Sequence, residues 1–198
     1  MKVTLYALVL LLAVAVTSTI ISQDVLVEKD ILVTLQNGKI IRAGHALGTY
    51  NILCCRHNEK SIMYMSYPIR HFLGTKVHEA TLFIANNGYQ FKKTEFNRPI
   101  GPKMRVSIAS KFEEKSELEH DKLPKPLKRI TEFHFGSGAT EPIDITDELA
   151  DALRDGQEEL FIAVEAVAGF EVTITFPTWD FDDRASYLQI EHEPKVAN

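Results

Sequence analysis

The stretch from residue 89 to residue 105 combines cations with aromatic side chains, a composition suited to binding an acidic sugar chain. Its aromatic members are Tyr89, Phe91 and Phe96, and Glu95 is its one acidic residue. Tyr89 and the cations are therefore candidate carbohydrate-binding residues, whereas the alternative is that the phenylalanines fill the core and the cations form a solvated face. The cations are Lys92, Lys93, Arg98, Lys103 and Arg105.

Trp179, the only tryptophan, is a further candidate because a ring on a loop can stack on a sugar. Asp180, Asp182 and Asp183 follow it and supply the carboxylate oxygens that calcium prefers. We therefore assign these aspartates to a candidate structural calcium site. The alternatives are that the tryptophan fills the edge of the core and that the acids cap a strand.

Motifs for catalysis are missing from the sequence. The histidines show neither H-x-H nor H-E-x-x-H spacing, and there is no G-x-S-x-G. Gly136-Ser137-Gly138 is not followed by the lysine of a phosphate-binding loop. The sequence therefore predicts a protein that is not an enzyme and that needs no cofactor other than the candidate calcium.

Cys54 and Cys55, the only cysteines, are adjacent. Neighbouring Cα atoms lie about 3.8 Å apart, below the usual range for a disulfide, so a bond between them would be strained. One interpretation is a buried thiol beside an outward-facing thiol. The others are a strained bond between neighbours and a disulfide-linked dimer through Cys54 or Cys55.

The chain begins like a secretory leader. Lys2 precedes an apolar stretch from Val3 to Val16, and small residues follow it. The stretch is short for a membrane span, so we predict a signal peptide over residues 1–22, a single domain over residues 23–198 and no stable membrane span after cleavage. Cleavage after Ser18 and cleavage after Ser22 both fit, and an uncleaved anchor is the alternative. The expected location is extracellular.

The net charge is −5, and it becomes −6 when the leader with Lys2 is removed. A general nucleic-acid binder carries a basic surface, so we predict no nucleic-acid partner. Mild acidity in an exported protein mainly favours solubility.

Apolar residues recur every second position after Asp24, which indicates an all-β protein. Asn37-Gly38 and Asn87-Gly88 each lie between apolar runs and predict hairpins. Ile62 to Met65 and Leu160 to Val164 are continuously apolar, as expected of strands near the centre of a sandwich. Further strands are predicted around Met104 to Ile108, Phe133 to Phe135 and Val172 to Phe176.

One short helix is predicted between Thr146, as its N-cap, and Gly156. Asp147 and Glu148 in its first turn favour a helix start. Between Lys111 and Lys128 the chain is charged and contains prolines, which predicts a solvated loop, with a short surface helix over Glu113 to His120 as the alternative.

Four segments, taken in chain order, resemble the DNRLRE-type carbohydrate-binding modules. They extend over most of the chain after the leader. The segments are Ile62 to Tyr67 with Pro68-Ile69, Val77 with Ala80 to Ile84, Ile143 to Thr146, and Tyr187 to Ile190. The resemblance is to the family's central strand, its I-x-x-A-x-L-x-L strand, its D-V-T helix entry and its closing strand.

The resemblance implies an extracellular, two-sheet antiparallel β-sandwich of jelly-roll type with no catalytic activity. It also implies binding to an extracellular or cell-wall polysaccharide, and the basic strip favours an acidic one. The alternative function is that of a secreted structural or adhesion protein that uses the same sandwich for protein contacts.

Overall fold

The computed structural model describes residues 19–44, 51–56, 59–85, 88–91, 102–113, 123–134, 140–167, 172–176 and 186–195. Within these ranges the chain forms strands, one α-helix, α1 (Thr146–Arg154), and one 3-10 turn, Arg70–Phe72. The strands are β1 (Ile21–Leu26), β2 (Lys29–Gln36), β3 (Lys39–Gly44), β4 (Asn51–Arg56), β5 (Glu59–Pro68), β6 (Val77–Ala85), β7 (Gly88–Phe91), β8 (Lys103–Ala109), β9 (Pro126–His134), β10 (Thr140–Asp144), β11 (Glu159–Ala166), β12 (Val172–Phe176) and β13 (Tyr187–His192).

The smaller of the two sheets has four strands in the order β1-β13-β6-β10, and all its pairings are antiparallel. β13 and β6 are the inner strands. β1 and β10 are the edges, and β10 carries Pro142. The sheet therefore joins the first and last described strands of the chain.

The larger sheet has nine strands. Six of them follow the order β3-β2-β5-β11-β8-β9. β4 pairs with β5 only at Glu59 and Lys60. At these two residues β2 pairs with one edge of β5, so β4 must occupy the opposite edge. β4 therefore lies on the β11 side of β5 and continues into β12 and β7, so the sheet branches beside β5.

The main core lies between the two sheets. Leu82 and Ile190 of the smaller sheet and Met65 and Ile162 of the larger one are buried in a single cluster. Their positions alternate with outward-facing residues, as a sandwich requires. The two antiparallel sheets confirm the predicted all-β sandwich, whereas the jelly-roll connection pattern stays a prediction.

The larger sheet is also covered on its outer face. Tyr64 and Phe161 there pack against Phe112, with ring centroids 6.2 Å and 5.3 Å away. The sequence predicts a solvated loop between residues 111 and 128, and this prediction is wrong at two places. Phe112 and Pro124 are buried, and residues 126–128 form the start of β9. The physical reason is that β5 and β11 are apolar on both faces, so water must be excluded from both.

One predicted hairpin is confirmed and the other is wrong. Asn37 and Gly38 join β2 to β3 with φ values of 52° and 75°, the left-handed conformation that a two-residue hairpin needs. Asn87-Gly88 does not join a hairpin, because β6 and β7 belong to different sheets. Both edges of β6 are taken by β13 and β10, so β7 pairs with β12 instead.

The predicted helix is confirmed, with Thr146 as its first helical residue instead of its N-cap. Asp144 Oδ1 accepts hydrogen bonds from the Thr146 backbone N–H and hydroxyl at 2.9 Å and 2.7 Å. The Thr146 hydroxyl oxygen in turn accepts one from the Ala80 N–H at 3.0 Å, which fixes the helix start to β6. After the helix, Gly156 adopts a φ of 73°, as its predicted closing role requires.

Most of the predicted leader, residues 1–18, lies outside the described part of the chain. Ile21 and Ser22 pair with His192 and Glu191 in β1. A leader boundary after residue 22 would remove both pairs, whereas the boundary after Ser18 leaves β1 whole. Within the described ranges, no helix has the length and apolar character needed to span a bilayer.

Candidate functional site

The two described ends of the basic strip do not come together. Tyr89 lies on β7, where only its backbone is described, opposite Ile174. Lys103 and Arg105 lie on β8, which β12, β4, β5 and β11 separate from β7 in the sheet order. The other candidates lie outside the described residues: Lys92, Lys93, Arg98, Trp179 and the calcium candidates Asp180, Asp182 and Asp183.

Lys103 and Arg105 belong to a group of six charged side chains on the outer face of the larger sheet. This charge network consists of Lys60, Lys103, Arg105, Arg129, Glu132 and Glu165. Its contacts follow from the register, because Arg105 lies directly opposite both Glu132 on β9 and Glu165 on β11.

Within the charge network, Arg105 donates to both carboxylates, at 2.7 Å from Nε to Glu132 Oε1 and at 3.0 Å from Nη1 to Glu165 Oε1. Lys103 Nζ is 2.5 Å from Glu132 Oε2, and Lys60 forms an ion pair with Glu165. Glu165 is only 4% exposed. Both described cations of the basic strip are thus paired with carboxylates, and neither is free to meet an acidic ligand without breaking an ion pair.

The charge network shifts the pKa of one of its own members, Glu132, and of the neighbouring Tyr64. The hydrogen bonds from Lys103 and then Arg105 lower the pKa of Glu132 to about 2. Burial, and to a lesser degree the charge of Glu165, raise the pKa of Tyr64, so the Tyr64 hydroxyl stays neutral beside the network.

Replacing Glu132 by Gln should make the free energy of unfolding less dependent on pH in the acidic range. Because the pKa of Glu132 is lower in the fold than in the unfolded chain, its ionised form stabilises the fold above about pH 4.5, and this contribution is lost as the pH falls towards 2. Urea unfolding at pH 7, 4 and 3 should show the stability of the variant and the wild type converging at low pH. A difference between variant and wild type that stays the same at all three pH values would contradict the ion pairing of Glu132. Glu158→Gln, at an exposed position between α1 and β11, is the matched control.

A second candidate surface lies on the outer face of the smaller sheet. Four apolar residues there occupy one row across all four strands, in the order Leu26, Tyr187, Phe83 and Pro142. The Tyr187 and Phe83 rings are stacked, with centroids 4.7 Å apart and planes inclined by 15°. Three strand spacings make the row about 14 Å long. We call this surface, with the rows beside it, the aromatic face.

Polar residues occupy the next rows of the aromatic face. Asp24, Gln189, Thr81 and Asp144 lie side by side in one row. Gln189 Nε2 donates to Asp24 Oδ1 at 3.1 Å, which holds both side chains against the sheet. The apolar row is thus bordered by a row of hydrogen-bonding groups, all of them at least partly exposed.

The aromatic face is acidic. Its described rows hold Asp24, Asp144, Glu79 and Glu191, and they include no lysine or arginine. The hydrogen bonds from the Thr146 backbone N–H and then its hydroxyl lower the pKa of Asp144, so this carboxylate stays ionised. The face therefore repels anionic ligands.

Sequence reasoning did not single out Phe83 and Tyr187 as candidate binding residues. A local signal existed, because each lies in the outward-facing half of an alternating strand, Phe83 with Glu79 and Thr81, and Tyr187 with Gln189 and Glu191. Their stacking depends on the β6–β13 register, which joins residues about a hundred positions apart.

The described residues contain no group of three or more histidine, cysteine or acidic side chains arranged to hold a metal ion. No protein-family model matches the chain, and no curated protein is significantly similar to it. The candidate surfaces of the described residues are thus the charge network on the larger sheet and the aromatic face on the smaller sheet.

Proposed function

We propose that this chain is a secreted, non-catalytic polysaccharide-binding domain whose binding surface is the aromatic face. The observation that carries the proposal is the stacked pair Phe83 and Tyr187 in an apolar row that crosses an exposed sheet. An aromatic row on a hydrogen-bonded sheet provides a preorganised platform, which lowers the cost of ordering on binding.

The chemistry of the aromatic face fits a sugar chain because sugars are amphipathic. Their C–H groups pack against apolar and aromatic side chains, while their hydroxyls require hydrogen-bond partners. Leu26, Tyr187 and Phe83 offer the first kind of contact, and Asp24 and Gln189 offer the second. The apolar and the hydrogen-bonding residues lie in adjacent rows. An extended polysaccharide, which has apolar and polar edges, requires such an arrangement.

Charge favours a polysaccharide without acidic groups. The acids of the aromatic face would oppose a uronic-acid or sulfated chain, and like charges in contact cost specificity and affinity. The earlier expectation of an acidic ligand depended on the basic strip, in which Lys103 and Arg105 are neutralised by Glu132 and Glu165. A neutral polymer is therefore the ligand class we propose.

The resemblance to DNRLRE-type modules supports this function. Three of the segments that carry it form parts of β6, β10 and β13, which are hydrogen-bonded neighbours in the smaller sheet. The same strands bear Phe83, Pro142 and Tyr187. The segments of resemblance therefore contribute the stacked pair Phe83 and Tyr187 to the surface to which we assign binding.

Affinity electrophoresis tests the proposal. The purified mature protein is run in native gels cast with a neutral β-glucan, a neutral mannan or a uronic-acid polymer. We expect retardation by at least one neutral polymer and none by the uronic-acid polymer. Retardation by the acidic polymer alone would reject the aromatic face as the site, and no retardation by any polymer of a broad neutral set would reject the function.

A further inference from the structure

β1 is an open edge of the smaller sheet. One side of it pairs with β13 from Ile21 to Leu26, and no described strand lies on its other side. An exposed strand edge presents unpaired backbone N–H and C=O groups that can template a further strand.

The β1 edge is also unusually apolar. Of the five large apolar side chains that are exposed in the described part of the chain, three lie here: Ile20 at 51%, Ile21 at 40% and Leu26 at 62%. Between residues 20 and 26 there is no proline, lysine or arginine. These are the residues with which proteins usually block an edge, and the edge strand β9 has Pro126, Lys128 and Arg129.

We propose that β1 pairs with β1 of a second copy of this chain, antiparallel and across a twofold axis centred on Gln23. The two four-stranded sheets then continue as one sheet of eight strands. This interface does not depend on the polysaccharide-binding function.

The register follows from the side chains. We take the arrangement in which the same face of each sheet lies on the same side of the joined sheet. A pairing centred on Gln23 then places Ile20 of each copy opposite Leu26 of the other. In the same way, Ile21 lies opposite Val25 and Ser22 lies opposite Asp24. Centring on Asp24 would place this carboxylate opposite its own copy, and like charges directly opposite destabilise a sheet. Centring on Ser22 would place Ile20 opposite Asp24. Of these three registers, only the one centred on Gln23 places Ile20 opposite Leu26.

Such an interface is isologous, because the same strand serves both copies, and it closes as a dimer. It also differs from a dimer linked through Cys54 or Cys55, since it survives reductant. Both aromatic faces would lie on the same side of the joined sheet.

Light scattering coupled to size exclusion tests the dimer on protein exported by its host, with reductant present and the N-terminus read by mass spectrometry. We expect a dimer mass for a chain that begins at Thr19, and at least tenfold weaker association for Leu26→Lys. Leu127→Lys, at a residue that is 66% exposed on β9, is the matched control and should leave the dimer intact. Circular dichroism checks that each variant keeps its β content.

Disulfide trapping tests the register. Paired residues in antiparallel strands have Cα atoms about 4.5–5.5 Å apart, within the range of disulfides. Under mild oxidation Gln23→Cys should form a covalent dimer at least tenfold faster than Asp24→Cys, with the wild type reporting any contribution from Cys54 and Cys55.

Four outcomes would overturn the proposal. They are a monomer mass at the highest soluble concentration, loss of the dimer in Leu127→Lys but not in Leu26→Lys, trapping at Asp24→Cys as fast as at Gln23→Cys, and a mature N-terminus at Gln23, which would remove Ile20 to Ser22.

Discussion

Replacing Tyr187 by Ala should weaken binding to a retarding neutral polysaccharide about 30-fold, which corresponds to roughly 2 kcal/mol. Tyr187 is one of the two inner residues of the apolar row, between Leu26 and its stacking partner Phe83. Its removal takes away one ring and leaves the other without the neighbour that orients it. The dissociation constant, measured by affinity electrophoresis over a range of polymer concentrations, reports the loss.

Two variants sharpen this result. Tyr187→Phe keeps the ring and should retain most of the affinity if stacking supplies the binding energy. Leu127→Ala removes an apolar side chain of the larger sheet that is more exposed than the half-buried Tyr187, and it should leave the affinity unchanged. If Leu127→Ala weakened binding as much as Tyr187→Ala, the site could not be the aromatic face.

Replacing Leu82 by Ala should lower the free energy of unfolding by about 3–4 kcal/mol. Leu82 is fully buried between the sheets, so its truncation removes apolar contacts and leaves a cavity. For a chain of this size the midpoint of thermal unfolding should fall by about 10 °C. Calorimetry and urea unfolding measure the two quantities.

The neighbours of Leu82 provide the comparison. Thr81→Ala, on the exposed side of the same strand, should change stability by less than about 0.5 kcal/mol. Phe83→Ala should weaken binding more than it weakens the fold, whereas Leu82→Ala should do the reverse at temperatures where it stays folded. Equal losses of stability at Thr81 and Leu82 would contradict the assignment of the two faces of β6.

Sequence periodicity predicted most strands because alternation is a local property. Ile62 to Met65 and Leu160 to Val164 were expected at the centre of a sheet, and β5 and β11 are adjacent and buried there. The partner of each strand was harder to predict, since pairing depends on which edges are already occupied. The wrong hairpin at Asn87-Gly88 is an example, because the edges of β6 are filled by strands distant in sequence.

Burial of Phe112 was missed for a related reason. It lies in a charged stretch, and nothing near it in sequence indicates a core position. An indirect signal was present, because strands as continuously apolar as β5 and β11 need cover on both faces. That cover comes partly from the segment after β8.

The candidate site was predicted less well than the fold. Lys103 and Arg105 were identified as cations, but their partners Glu132 and Glu165 lie 27 and 60 positions from Arg105 and are brought close only by strand register. Phe83 and Tyr187 likewise meet through pairing of distant strands. When each strand contributes only one or two residues to a binding surface, the local sequence pattern of any one strand hardly indicates the surface.

Pro142 limits how far the smaller sheet can grow. It has no N–H, so the β10 edge lacks one of the donors that an added strand would need. In the paired form, β10 forms both outer boundaries of the joined sheet. Addition of further copies is disfavoured there, so the dimer that we propose would end at two chains instead of extending into a fibre.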